Sequence, residues 1–267
     1  MSSTPDTPDT WRKPPFIANR WLRWAVYLGI ITYILWVGAS MPIDWERVAD
    51  GLGRAKRIFG GAFPPSFDRS GLLIDGFLES LKIALLATAG GVALSVPIAF
   101  MAARNIAPLP IYYLGRAIII IARSFHPVIV AIIFVKAVGF GPFAGVLTLI
   151  VYSIGFVAKM LAERIEEIDF GQVEAMRAAG APYLSTLVYA IMPQIMPRQI
   201  GLSIYQLDSN LRASAVVGIV GAGGIGATLA NAFGRYDYDF ALAITIVIVG
   251  AILISEGVSG MIRKRIS

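Results

Sequence analysis

Residues Ile83–Ala103 read IALLATAGGVALSVPIAFMAA, without one charged side chain. About 20 consecutive apolar residues wound as an α-helix cross the roughly 30 Å hydrocarbon core of a bilayer. Inside lipid every backbone N–H and C=O must be bonded within the protein, so only helices or a closed barrel can span. The stretch lacks the strict apolar–polar alternation of a barrel strand, and it therefore reads as a membrane helix. Gly91, Ser95 and Ala99 recur at every fourth position, a small-residue stripe that lets a second helix approach closely. Pro97 is a candidate kink.

The pattern repeats along the chain. Ala241–Ser255 is also free of charge. Of the 267 residues, 57% are hydrophobic and 15% charged, with a mean hydropathy of +0.70; a soluble domain carries about 25% charged residues. Six spans are expected: Trp24–Met41, Phe77–Ala103, Ile111–Val138 with an interruption at His126-Pro127, Phe143–Leu161, Ile191–Ile219 containing Pro193 and Pro197, and Phe240–Met261. The fold class is all-α integral membrane. Met1–Thr10 is rich in Ser, Thr, Pro and Asp and reads as a disordered tail. Arg12, Lys13, Arg20 and Arg23 precede a first span that is long for a signal peptide, and more spans follow, so it reads as an uncleaved helix. Pro42–Asp75 balances five basic against five acidic residues. Its Trp45, Ile58, Phe59, Phe63 and Phe67 alternate with charges, as expected of a segment lying at the membrane surface. Gly139–Pro142 reads as a tight turn and Gly221–Asp239 as a loop.

Basic residues set the orientation. The N-terminal tail, the Arg104–Arg116 and Lys159–Arg198 segments and the Arg263-Lys264-Arg265 end fall on one side, which the positive-inside rule makes cytoplasmic. Both termini are then inside. The expected organisation is a tail over 1–23, a first helix and extracytoplasmic surface loop over 24–76, a core over 77–262 with a cytoplasmic loop at 169–193, and a basic end over 263–267. The net charge of +6 is then membrane anchoring and not a nucleic-acid footprint. The chain has no cysteine and one histidine, His126. It can form no disulfide, thiolate site, cysteine nucleophile or multi-histidine metal site of its own. Beside Pro127, His126 reads as a satisfied polar group at a kink. Lys136 can snorkel to the interface, Arg116 and Arg123 read as cytoplasmic-side anchors, and Glu256 has no evident partner.

The cytoplasmic segment Val173-Glu174-Ala175-Met176-Arg177-Ala178-Ala179-Gly180 is the most informative. Glu and Ala favour a short helix, and Gly180 followed by Pro182 stops it. Glu163, Glu166, Glu167 and Asp169 lead into it, and Pro193 follows thirteen residues after Gly180. A short helix projecting from a bundle can seat in a groove on a soluble partner and receive its motion; it can equally be an ordinary interfacial helix between two spans.

This segment resembles the EAA loop of bacterial ATP-binding-cassette import permeases: Glu-Ala-Ala, three residues, Gly, nine residues, Ile-x-Leu-Pro. Glu174, Ala175, Gly180 and Pro193 match at that spacing, while Met176, Ala190 and Met192 depart from it and stay apolar. Val138–Leu147 is similar to the same family's third-to-fourth-span turn. Ser209–Gly218 and Val220–Gly226 resemble its fifth span and the glycine-rich stretch that follows. Across roughly Phe77–Arg265 the pattern resembles the phosphonate-transporter permease, and methionine permeases share the Arg-then-glycine arrangement. The resemblance implies the type I importer permease fold, with Val173, Glu174, Ala175, Arg177, Ala178, Gly180 and Pro193 coupling to an ATPase. It also implies a pore of two copies, two ATPase subunits holding ATP and Mg, and an extracytoplasmic receptor for phosphonate-type ligands, in a bacterial inner membrane. No cofactor is expected on this chain.

Gly221-Ala222-Gly223-Gly224-Ile225-Gly226 formally matches Gly-x-Gly-x-x-Gly. A dinucleotide site needs that pattern between a strand and a helix, and here it ends a membrane span. Ala227 stands where a phosphate-binding loop would need lysine, so any driving nucleotide must sit on another subunit. Gly221, Gly223, Gly224 and Gly226 are better suited to a helix break or close helix contact at the outer end of a pore. Asp208 and Arg212 are four apart and share a helix face, extended by Tyr205 and Gly201. Intramembrane charges cost about 2.5–3.5 kcal/mol on insertion scales and turn to water or to each other. Tyr205, Asp208, Asn210 and Arg212 are therefore candidates for lining an anion's path, with Arg212 offering donors to its oxygens; a structural Asp208–Arg212 ion pair is the equal alternative.

Three function classes remain to be compared. The resemblance implies the permease of an ATP-driven importer for phosphonates, phosphite or phosphate, or for another small solute such as methionine. An ion-coupled secondary transporter would show internal repeats, and none is visible. A membrane enzyme would need a convergent acid, base and nucleophile, and the residues offer no such set.

Overall fold

The computed structural model describes Ile17, residues 19–41 and residues 44–266, the last four as backbone alone. The expectations for the first sixteen residues, including Arg12 and Lys13, and for the side chains of Arg263, Lys264 and Arg265 lie outside the described residues. The chain divides into two compact units, 1–56 and 57–267.

The first unit holds helix α1, Arg20–Ser40, and most of α2, Trp45–Ala62. Asn19 caps α1 by accepting a hydrogen bond from the Trp21 N–H at 3.0 Å. None of its 21 residues is buried, as suits a helix that is apolar all round. At 100° per residue, Trp45, Val48 and Leu52 share one side of α2, and Glu46, Arg47, Asp50 and Arg54 the other. The polar stretch is thus a helix with an apolar stripe, the form taken by interfacial helices.

In the second unit, helix α3 runs Ser70–Met101 and packs against α4 (Leu109–Ser124), α6 (Pro142–Ser153), α10 (Met192–Val217) and α11 (Gly224–Gly234). Its 32 residues extend to about 48 Å at 1.5 Å each, longer than a hydrocarbon core. It begins seven residues before the expected start of the second span at Phe77. The small-residue stripe is used: Gly91, Ser95 and Ala99 are buried, and a Cβ on Gly91 would collide with Ser153 Cβ of α6.

The third expected span breaks where His126-Pro127 stands. Helices α4 and α5 (Pro127–Val138) are bent by 92°, and His126 caps α5 with Nδ1 accepting from the Val128 N–H. Helix α6 continues through a π-helical turn, Ile154–Ala158, into α7, Lys159–Glu166. Helix α8, Phe170–Ala178, then leads through α9, Tyr183–Thr186, and a second π-helical turn, Leu187–Ile191, into α10. Pro193 has no N–H to give the carbonyl four residues back, which is where the chain leaves the regular ladder.

The expected loop Gly221–Asp239 is largely helical. A kink at Gly221, with φ 95°, leads into α11, bent by 54° from the preceding helix. Helix α12, Tyr238–Ile266, closes the unit. Among the described residues, four helices are long and apolar enough to cross a membrane, or up to six if each bent pair is one span. Three apolar clusters run through this unit. One gathers Ala99, Ala103, Leu161, Ile165, Val173, Ile191 and Ile195 beneath α8. Another gathers Ile83, Ala144, Leu149 and Val217, and the third gathers Leu73, Ile225, Phe240 and Ile244.

Candidate functional site

Asp169 starts α8 by accepting from the Gly171 N–H at 2.9 Å. The helix ends in a Schellman motif: the Ala181 N–H donates to Met176 O at 3.0 Å and the Gly180 N–H to Arg177 O at 2.9 Å. Gly180 has φ +76°, the left-handed conformation this motif requires and glycine adopts freely. Val173 is 1% exposed, in the apolar cluster that also holds Leu161 and Ile165 of α7 and Ile191 of the second π-helical turn, and Met176 packs against the same cluster. Glu174, Ala175, Arg177, Ala178 and Gly180 are exposed. The helix is therefore anchored along one side and bare along the other. Pro193 is also exposed, but it lies in the first turn of α10 and not on the bare side of α8.

One residue here was not foreseen. Gln194 on α10 accepts from the Asp169 N–H at 2.9 Å, and its Nε2 donates to Asp169 O at 3.2 Å and to Ala190 O at 2.8 Å. It ties the start of α8 directly to α10. Glu166 makes a parallel tie, accepting from the Arg104 N–H and from Arg116 Nη2, both at 2.8 Å.

From Gln194 a groove of about 850 Å³ runs between α7 and α10, bounded by Phe156, Glu163, Arg198, Gly201 and Tyr205. Gly201 and Tyr205 thus do share a face, and the Tyr205 ring lies 5.3 Å from that of Phe156. Farther along, Arg212 Nη2 is 3.2 Å from Asp208 Oδ2. The other Asp208 oxygen accepts from Ser255 Oγ of α12 at 2.8 Å. The Asp208 side chain is 12% exposed and that of Arg212 55%. Asp208 is thus held between two helices, and Arg212 keeps free donors facing outward.

Asn210 does not join them. It is fully buried, and its Nδ2 donates to Thr88 Oγ1 at 2.9 Å and Ser153 Oγ at 3.0 Å, while its Oδ1 accepts from Gln206 Nε2 at 2.9 Å. It lies apart from Tyr205, Asp208 and Arg212 and joins α3, α6 and α10 inside the protomer.

The glycine segment meets the Gly139–Pro142 turn, as neither motif alone would indicate. The Gly141 N–H donates to Gly221 O at 3.0 Å. A Cβ on Gly223 would come within 2.8 Å of Pro142 N, and one on Gly226 would overlap Ala215 O. Ser80 of α3 accepts from the Ile225 N–H at 2.9 Å, and a Cβ on Gly224 would strike that hydroxyl. Gly223 and Gly226 serve close approach to backbone, and Gly221 and Gly224 close approach to the side chains of Phe140 and Ser80. Among the described residues no cluster of His, Cys, Asp and Glu could hold a metal ion.

The chain is similar to known proteins. The phosphate-import permease protein PhnE of Mycolicibacterium smegmatis is 43% identical over 211 residues, covering 78% of this chain and 40% of that one. The chain thus spans about two fifths of that relative's length. The phosphite transport system permease protein PtxC of Stutzerimonas stutzeri is 38% identical over 242 residues, 90% of this chain and 87% of that one. Among solved structures, a methionine ABC transporter in an inward-facing conformation superposes with a TM-score of 0.66 at 23% identity, covering 76% of this chain and 99% of that one. The sequence profile of the binding-protein-dependent transport system inner membrane components matches residues 95–267, and the chain belongs to that family.

Proposed function

We propose that this chain is the non-catalytic, membrane-spanning permease subunit of an ATP-driven importer for phosphorus oxyanions, phosphonates first, with phosphite and phosphate in the same class. The observation that carries the proposal is α8: a helix rooted by buried Val173, with Glu174, Ala175, Arg177 and Ala178 bare, in a chain similar over most of its length to a phosphite permease. Two copies form the pore in the inner membrane, with both termini cytoplasmic. Two ATPase subunits bind ATP and Mg and seat α8, and an extracytoplasmic receptor delivers the oxyanion. Closure of the ATPase pair moves α8, and Gln194 and the Val173 cluster carry that motion to α10. The α10 face bearing Gly201, Tyr205 and Arg212 then changes its exposure. Such a two-position element is what coupling between distant sites requires.

The test is uptake and ATP hydrolysis by the complex in proteoliposomes, with its receptor loaded by phosphonate, phosphite or phosphate in turn. Oxyanion-stimulated hydrolysis is expected, and Glu174→Lys should abolish it while leaving membrane insertion intact. Normal uptake by Glu174→Lys, or uptake that collapses with an uncoupler while ATP stays high, would refute the proposal.

A further inference from the structure

Between α4 and the start of α7 lies a smaller cavity that the transport reading does not use. It has a volume of about 360 Å³ and is lined by Arg116, Ile119, Ile120, Arg123, Ser124 and Lys159. Arg116 and Arg123 are seven residues apart, two turns, and so share one side of α4. Lys159 is brought alongside by the π-helical turn: a Cβ on Gly155 would lie 2.8 Å from Arg123 Cγ.

The lining carries three cations and no carboxylate. Two of the cations are paired with acids that stand outside the lining. Arg116 Nη2 donates to Glu166 Oε1 at 2.8 Å, an oxygen that also accepts from the Arg104 N–H, and Lys159 Nζ lies 3.5 Å from Glu163 Oε1. Arg123 forms no salt bridge among the described residues, and Nε of Arg116 is buried without an acceptor. The lining thus keeps one guanidinium without an acid and unused donors on the other two cations, and an anion with several acceptor oxygens would take these up. Guanidinium forks and an ammonium suit a phosphoryl group in particular. Basic pockets between membrane helices on the cytoplasmic side hold phosphate-bearing lipid headgroups. Ile120 and Ile121 are 63% and 62% exposed, an apolar surface next to the cationic one.

We propose that this cavity binds a phosphoryl group through Arg116, Arg123 and Lys159. The shared chemistry admits two sources, an anionic phospholipid headgroup or free phosphate, and the experiment separates them. The full-length chain is purified into nanodiscs of phosphatidylcholine. Phosphatidylglycerol is titrated in one arm and followed by native mass spectrometry; inorganic phosphate is titrated in the other and followed by phosphorus NMR line width. Binding of at least one probe is expected, about tenfold weaker in the Arg123→Gln, Lys159→Gln double variant, as loss of charge-assisted hydrogen bonds implies. Lys136→Gln, on α5, should bind as the wild type does. Ser124→Asp sets a carboxylate at an exposed lining position with little packing to disturb, and should weaken binding even if the double variant does not fold. Binding of the lipid alone identifies a headgroup site, and displacement of the lipid by phosphate identifies a free-anion site. Equal binding by wild type and Ser124→Asp, or no binding of either probe to the wild type, overturns the proposal.

Discussion

Replacing Gln194 by leucine tests whether α8 is mechanically joined to α10. The amide makes two hydrogen bonds across the joint, both to the backbone of Asp169, and one to Ala190 O in the π-helical turn that precedes α10. A net hydrogen bond contributes about 0.5–1.5 kcal/mol, so losing the two crossing bonds loosens the joint by about 1–3 kcal/mol, or about 5- to 150-fold in the ratio of tied to untied α8. Both crossing bonds are solvent-exposed and water replaces part of them, so the lower end of that range applies. Val173 remains in its apolar socket, and the helix itself is retained. The expected phenotype is slippage: ATP hydrolysis near normal with several-fold fewer oxyanions imported per ATP. The assay counts both in the same proteoliposomes, with Gln194→Glu, which keeps the acceptor and loses the donor, expected to fall between. An unchanged stoichiometry in Gln194→Leu, at full complex assembly, would refute the joint.

The remaining predictions concern packing and the path. Gly226→Ala should destabilise the protomer by at least about 1–3 kcal/mol, the cost of overpacking, because its Cβ would overlap the Ala215 carbonyl; Gly234→Ala, whose Cβ meets nothing within 4 Å, should leave thermal unfolding in detergent unchanged. Asn210→Leu strands the partners of a buried network and should cost about 1–3 kcal/mol, read as earlier unfolding in a denaturing-detergent titration. Arg212→Gln removes an exposed i,i+4 pair worth about 0–1 kcal/mol, so stability should hold; if Arg212 lines the path, uptake slows at unchanged ATPase coupling, and unaltered uptake would assign the pair a structural role only.

The α8 segment was legible because its evidence is local. Glu174, Gly180 and Pro182 are helix former, αL terminator and stop within a few residues, and the structure places each accordingly. The break at His126-Pro127 was legible for the same reason. Gln194 was not, since an amide beside Pro193 at the head of a span says nothing about a backbone partner 25 positions earlier. Helix α11 was missed because Gly221, Gly223, Gly224 and Gly226 lower helix propensity. Packing of Ile225 and Ala232 against α12 and α3 outweighs that preference, and the close contacts admit no larger side chain. That Asn210 stands apart from Asp208 and Arg212 lay within reach of the sequence. Two residues past Asp208 is 200° around a helix, nearly the opposite side.

Two π-helical turns, Ile154–Ala158 and Leu187–Ile191, bracket everything between α6 and α10, and a third, Gly218–Ala222, follows α10. Each interrupts the regular i→i−4 ladder at one point and holds an extra residue per turn. A push on the stretch from Lys159 to Thr186 would be taken up by sliding either wide turn along its helix, as an expansion joint takes up movement, exchanging one backbone bond for another without melting either helix. Helix α3 has no such joint, and it would hold still as the mast against which that stretch travels.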